Sequence, residues 1–314
     1  MTLDLLLVAA GAVLLYGGGE SLVSGASALA RTLGMSPLVV GLTVVAFGTS
    51  APELAATLAA SLQGSPEIAF GNVVGSNIFN VGLILGVAAL IFPLAARARF
   101  LRREMPFLIG TSALMLLLVR NGRVGRGEGA VLLALFAAYL WLILRKDEES
   151  TRVAAEFAQE YGKVTAPLWA SVLRVVVGIA VLVVGAKILV MGAVGVARSF
   201  GISERVIGLT LVAFGTSLPE LASSIVAAVR REGDIVLGNI VGSNIFNILA
   251  ILGTASLTVP IDLQVGFDTW VDLGVMLAFS VALWPFLHTQ RRLDRWEGLV
   301  LLAGFAAYMG WLFA

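Results

Sequence analysis

Cysteine is absent from this chain of 314 residues, and histidine occurs once. No disulfide, thiolate metal site or cysteine nucleophile is available. A transition-metal centre loses its usual sulfur and nitrogen ligands. Charge is scarce as well: 13% of the residues are charged and 59% are hydrophobic, where a soluble domain carries about 25% charged residues. A net charge of +1 offers nucleic acid no electrostatic footing. The opening Met1-Thr2-Leu3-Asp4 lacks the basic start of a signal peptide, so the apolar run behind it reads as a first membrane span.

What the chain has instead is apolar runs. A helix needs about 20 mainly apolar residues to cross a bilayer. Such runs lie near 3–30, 37–62, 67–92, 104–120, 128–145, 168–199, 204–230, 234–259, 269–287 and 297–313. The expected fold is an all-α membrane protein of about ten transmembrane helices. The runs at 3–30 and 168–199 are longer than a bilayer requires, so those helices are expected to tilt or bend. A charged connection at 146–166 separates a first five-helix unit, 1–145, from a second, 167–314. Five is odd, so the second unit enters the membrane upside down. That makes two inverted-topology repeats, with a binding site expected near the midplane between them.

Lys and Arg crowd one side of this layout, among them Arg97, Arg99, Arg102, Arg103, Arg145, Lys146, Arg230, Arg231, Arg291, Arg292 and Arg295. The other side has Arg120, Arg123, Arg126, Arg198 and Arg205. The crowded side is expected to be cytoplasmic, with both termini outside. All six tryptophans fall near span ends, as an interfacial belt does.

Two motif pairs organise the chain. Gly48-Thr49-Ser50-Ala51-Pro52-Glu53 recurs as Gly215-Thr216-Ser217-Leu218-Pro219-Glu220, and Gly71-Asn72-Val73-Val74-Gly75-Ser76-Asn77-Ile78-Phe79-Asn80 recurs at 238–247. The offset is constant, 220 − 53 = 167 and 247 − 80 = 167, so the chain contains an internal duplication. Ionisable groups inside membrane helices mark functional sites. Proline removes an amide donor and breaks its helix, and is expected to release carbonyls around 46–49 and 213–216. Thr49 and Glu53 are four apart and share a helix face. A carbonyl, a hydroxyl and a carboxylate converging there make a hard-oxygen cation site; the alternative is a simple proline kink with Glu53 capping it. Asn72, Ser76 and Asn80 form one polar stripe, repeated by Asn239, Ser243 and Asn247. For Asn72 and Asn239 the alternative is hydrogen bonding between helices. Asn77 and Asn244 lie off this stripe and are the weaker candidates.

With these motifs the chain resembles the cation/calcium exchanger superfamily, in its sodium/calcium exchanger-like branch. The resemblance implies a central site of Glu53, Asn80, Glu220 and Asn247. It implies flanking sodium ligands Thr49, Ser50, Ser76, Thr216, Ser217 and Ser243, with the carbonyls of Ala46 and Ala213. It also implies that the first and sixth spans slide across the rest. Two glutamates give the centre a charge of about −2, which one Ca²⁺ or two Na⁺ balance. A third Na⁺ leaves excess positive charge in a desolvated site, which is costly.

The expected function is secondary antiport of Ca²⁺ against Na⁺, with no cofactor, no catalysis and no nucleic-acid partner. The partners are the two ions and the lipid bilayer, a monomer is sufficient, and the expected location is a prokaryotic cytoplasmic membrane. A proton-coupled or K⁺-dependent exchanger is the nearest alternative, since a buried glutamate can cycle protons. A channel is disfavoured because its pore is usually a ring of like groups at an oligomer axis. An enzyme is disfavoured because neither glutamate has a nucleophile or metal-binding histidine beside it. His288 falls at a span end and reads as a solvated residue.

Overall fold

The computed structural model describes residues 1–145, 167–201 and 213–312, together with 152, 153, 155, 156 and 159. Most of the charged connection at 146–166, and the opening of the span expected near 204–230, lie outside the described residues. Helix α1 is Thr2–Leu33. Helices α2, Pro37–Thr49, and α3, Ala51–Leu62, meet at a 45° bend. Then come α4, Pro66–Ile91, α5, Met105–Leu118, and α6, Arg126–Leu144. The second half supplies α7, Leu168–Ser199, α8, Leu218–Val229, α9, Gly233–Thr258, α10, Phe267–Gln290, and α11, Arg295–Leu312.

The chain punctuates these helices as their chemistry demands. Proline occupies the first turn of α2, α3, α4 and α8, where its missing N–H would be unpaired anyway. Gly34 closes α1 in the left-handed conformation at φ 61°, which a side chain disfavours. Among the described residues six helices are long and apolar enough to cross a membrane, and the bent pair α2–α3 makes a seventh. The molecule is an all-α, multi-spanning membrane protein.

Helices α1 and α7 form one antiparallel pair. Gly11, Gly18 and Gly25 recur every seven residues on α1, and 167 positions later Gly178, Gly185 and Gly192 do so on α7. A Cβ on Gly18 would stand 2.8 Å from the Leu182 amide nitrogen, and one on Gly178 2.5 Å from that of Leu22. The backbones meet at a distance only glycine permits, as small-residue stripes in membrane helices allow. The pair packs against α8.

The centre belongs to α4 and α9. The most apolar stretch of α9 is wholly buried, against about a third for α1 and α7, so the lipid is met by the outer helices. Gly238 and Gly242 let α9 close on α2, where added Cβ atoms would fall 2.7 Å from the Leu38 carbonyl oxygen and 2.8 Å from Leu42. All six tryptophans are exposed, from Trp311 at 39% to Trp169 at 67%, as an interfacial belt requires.

Four two-residue strands escape the periodicity of the sequence. Strand β1, Leu94–Ala95, pairs antiparallel with β4, Arg292–Leu293, and β2, Arg123–Val124, pairs with β3, Ile261–Asp262. Each pair joins a loop of the first half to a loop of the second.

Candidate functional site

The site lies where the break between α2 and α3 and the start of α8 meet α4 and α9. Ser50 ends α2 with φ −83° and ψ 7°, and Ser217 has nearly the same backbone at φ −91° and ψ 4°. Both lie off the helical path, so their hydroxyls turn inward at the break. Ser50 Oγ donates to Glu220 Oε1 at 2.8 Å and lies 3.0 Å from Ser243 Oγ. Ser217 Oγ donates to Glu53 Oε1 at 2.9 Å and lies 3.3 Å from Ser76 Oγ. Each copy's serine therefore holds the other copy's glutamate. Both carboxylates are buried, with Glu53 at 1% and Glu220 at 0% exposed.

The asparagines repeat this exchange. Asn80 Nδ2 donates to Asn244 Oδ1 at 2.9 Å, and Asn247 Nδ2 donates to Asn77 Oδ1 at 3.2 Å. Asn244 Nδ2 also donates to the Asn77 carbonyl at 3.2 Å. Asn77 and Asn244, ranked low from the stripe spacing, are thus the groups that orient Asn80 and Asn247. They sit three residues before them, and three-residue spacing shares a helix face as four does. Asn80 and Asn247 each begin a π-helical turn, Asn80–Leu85 and Asn247–Ile251. Such wide turns concentrate at functional sites.

These bonds leave four oxygens over. Glu53 Oε2, Asn80 Oδ1, Glu220 Oε2 and Asn247 Oδ1 are buried and have no hydrogen-bond partner among the described residues. An unpaired buried acceptor costs about 1–3 kcal/mol, so these four are retained against a considerable penalty. A cation bound by such oxygens removes the penalty. The donor set is two carboxylates, two amides and neighbouring hydroxyls, with no cluster of three or more His, Cys, Asp or Glu among the described residues. Hard oxygens of this kind suit Ca²⁺ and Na⁺.

The remaining sequence candidates divide. Thr49 Oγ1 lies 3.1 Å from the Val45 carbonyl and 3.2 Å from Asn239 Oδ1. Asn239 Nδ2 reaches Ser223 and Ser224, and Asn72 Nδ2 reaches Thr57 Oγ1 at 2.8 Å, so both amides tie helices together. Pro52 does not release the Ala46 carbonyl: it accepts from the Ser50 amide at 3.0 Å and lies 3.5 Å from Thr49 Oγ1. The Ser217 amide bonds the Phe214 carbonyl at 3.1 Å instead of the equivalent Ala213. Thr216 lines a cavity of about 490 Å³ with Ala51, Pro52, Lys187 and Gly215. This cavity brings open space to the immediate neighbours of Ser50 and Ser217.

The sodium/calcium exchanger protein family matches residues 3–145 and 170–314, nearly the whole chain. The chain belongs to this family. It is 39% identical to the putative antiporter CaxA of Alkalimonas amylolytica, with all of both proteins covered. It is 35% identical to the sodium/calcium exchanger MaX1 of Methanosarcina acetivorans, over all of this chain and 99% of that one. Among solved structures it resembles the sodium-calcium exchanger NCX_Mj, with a TM-score of 0.82 and 32% identity over 98% of each chain. Membership in this transporter family makes the chain a carrier.

Proposed function

We propose that this protein is a secondary antiporter that exchanges Ca²⁺ for Na⁺ by alternating access. The observation that carries this reading is the set of four unpartnered oxygens, two from each copy of the duplication. Glu53 and Glu220 bind and charge-balance one Ca²⁺, while Asn80 and Asn247 complete its inner oxygens. Ser50, Ser76, Ser217 and Ser243, with Thr49, Thr216 and the carbonyls of Ala46 and Ala213, supply neutral oxygens for Na⁺. Substrate discrimination follows from charge. The divalent ion needs both carboxylates, whereas Na⁺ is content with fewer.

The architecture that fits this function is ten transmembrane helices in two inverted repeats of five, 1–145 and 167–314, joined by the charged connection 146–166. The antiparallel α1–α7 pair supports it, as do the reciprocal serine–glutamate bonds and the exchange of strand partners. The Lys/Arg asymmetry favours a cytoplasmic connection and both termini outside, and the similar proteins of Alkalimonas amylolytica and Methanosarcina acetivorans favour a prokaryotic cytoplasmic membrane. The site is complete within one chain, so a monomer suffices.

Uptake of radiolabelled Ca²⁺ into proteoliposomes tests the proposal. An outward Na⁺ gradient is expected to drive uptake, and K⁺ or H⁺ gradients of equal size are not. Uptake that ignores Na⁺ and follows H⁺ would assign the chain to proton-coupled exchange.

A further inference from the structure

Away from the ion site, the end of α10 and the turn before α5 enclose a second cavity of about 390 Å³. Three basic side chains line it, Arg102, His288 and Arg291, together with Trp284, and Leu101 and Pro106 add apolar wall. The lining contains no acidic residue. None of the three basic side chains has a hydrogen bond or ion pair to another side chain among the described residues. By contrast, Arg97, Arg123, Arg230 and Arg292 all find carboxylates. Cationic groups gathered without a counter-charge repel one another, and an anion between them relieves that repulsion.

The place in the fold narrows the anion. Helix α10 ends at Gln290, Arg291 follows it in the left-handed conformation, and β4 begins at Arg292. Arg102 lies in the π-helical turn Phe100–Glu104 that leads into α5. The cavity therefore sits where two apolar helices reach the membrane surface. Trp284, 43% exposed one turn before His288, marks the headgroup level, where indoles concentrate. The apolar wall and the lipid-facing sides of α5 and α10 offer a path for acyl chains below the basic groups.

The duplication supplies an internal control. At an offset of 167 the equivalent of Arg102 is Thr269. At the offset that aligns β4 with β2, 292 − 123 = 169, the equivalents of His288 and Arg291 are Val119 and Gly122. The repeated fold thus does not require basic side chains at these three positions.

We propose that this cavity binds the phosphate headgroup of an anionic phospholipid from the leaflet beside the β1–β4 pair. Arg102 and Arg291 hold the phosphate, His288 donates to it, and Trp284 packs along the glycerol and upper acyl chain. Basic pockets between membrane helices are suited to such headgroups. The site is independent of the ion assignment, since it shares no residue with it.

The test is native mass spectrometry and thermal melting of the intact detergent-solubilised protein. The probes are phosphatidylglycerol, phosphatidylcholine and inorganic phosphate. Phosphatidylglycerol is expected to bind and raise the melting temperature, and the other two are not. Two surface arginines are each worth about a factor of five toward an anionic lipid. Arg102→Gln with Arg291→Gln is therefore expected to weaken phosphatidylglycerol binding by roughly twentyfold to thirtyfold. His288→Gln is expected to weaken it less. Arg120→Gln with Arg126→Gln, which removes the same charge at the other membrane face, is expected to leave it unchanged. Equal loss in both double variants would reduce the effect to net charge and overturn the site. Wild-type binding by the Arg102/Arg291 variant, or phosphatidylcholine binding as tightly, would overturn it too. Stabilisation by inorganic phosphate alone would replace the lipid with a free anion.

Discussion

Helices α3 and α8 are one element written twice, yet their neighbours differ. Helix α8 lies under α1, where a Cβ on Gly19 would stand 2.9 Å from Val226 and 3.3 Å from the Ala222 carbonyl. Beyond that contact Arg230 Nη1 donates to Glu20 Oε2 at 2.6 Å. Ser27 Oγ donates to Glu232 Oε2, and Glu232 pairs with Arg230 at 3.4 Å. Among the described residues helix α3 has no such cover and faces α7 across the cavity of about 490 Å³. Moving every residue by 167 turns Gly19, Ala222 and Val226 into Ala186, Ala55 and Ala59, which are small enough to close in the same way. It turns Glu20, Arg230, Ser27 and Glu232 into Lys187, Gln63, Val194 and Ser65, which cannot rebuild the charged latch. Under the alternating-access exchange proposed above, the two copies would serve as two gates, and these sequence differences predict a pair biased toward closure at α8.

The largest expected effect concerns what the copies share. Glu53→Gln and Glu220→Gln leave one carboxylate against a divalent ion, a loss of about 3 kcal/mol or more, roughly a hundredfold or more in Ca²⁺ uptake. Both variants should fail alike in proteoliposomes, whereas an inequality would carry the gate asymmetry into the site. Next comes the asymmetry itself. The chain has no native cysteine, so Ala55→Cys and Ala222→Cys can each be probed with a water-soluble thiol reagent. Labelling at 55 is expected to exceed labelling at 222 by about tenfold or more, a preference of ~1.4 kcal/mol. Equal rates would erase the comparison.

A smaller effect belongs to the latch. Glu20 and Arg230 are each 35% exposed, and a partly solvated pair is worth about 0.2–1 kcal/mol. Arg230→Gln should therefore speed labelling of Ala222→Cys only severalfold and leave Ala55→Cys nearly unchanged. The smallest effect is the pH response of Glu232, which lies between α8 and α9. Burial pushes its carboxyl above the ordinary glutamate range, against the Ser27 hydroxyl and the Arg230 charge, which pull it down. Opening the gate exposes the group and returns it toward that range. The closed state then holds the proton more tightly. Its stabilisation is complete below the ordinary glutamate pKa and is lost as pH rises through the raised value. Labelling at 222, normalised to labelling at 55, should slow as the solution is acidified toward the glutamate range, and Glu232→Gln should remove the dependence.

Much of this was legible in the sequence because apolar runs and duplicated motifs are local. The run at 168–199 coincides with α7, and that at 234–259 differs from α9 by one residue at each end. Glu53, Asn80, Glu220 and Asn247, singled out by their motif positions alone, are each left with a buried oxygen that has no hydrogen-bond partner among the described residues. What escaped depends on packing. Glu20 and Lys187 are equivalent positions, 187 − 20 = 167, but equivalence does not set the register of two antiparallel helices. Gly18 meets Leu182 and Gly178 meets Leu22, so position 20 lies level with 180, roughly 10 Å along the axis from Lys187. Glu20 takes Arg230 instead. Strands β1 to β4 are too short for any periodicity to announce them, and the π-helical turns at Asn80 and Asn247 widen helices whose apolar pattern reads as ordinary.

The central claim is that four oxygens from two copies hold one ion. Equilibrium binding of radiolabelled Ca²⁺ to the purified protein, with Na⁺ as competitor, measures it directly. One Ca²⁺ per chain is expected, displaced by Na⁺ and lost to the same extent in Glu53→Gln and Glu220→Gln. Two Ca²⁺ per chain, or near wild-type binding by either variant, would contradict a single shared site.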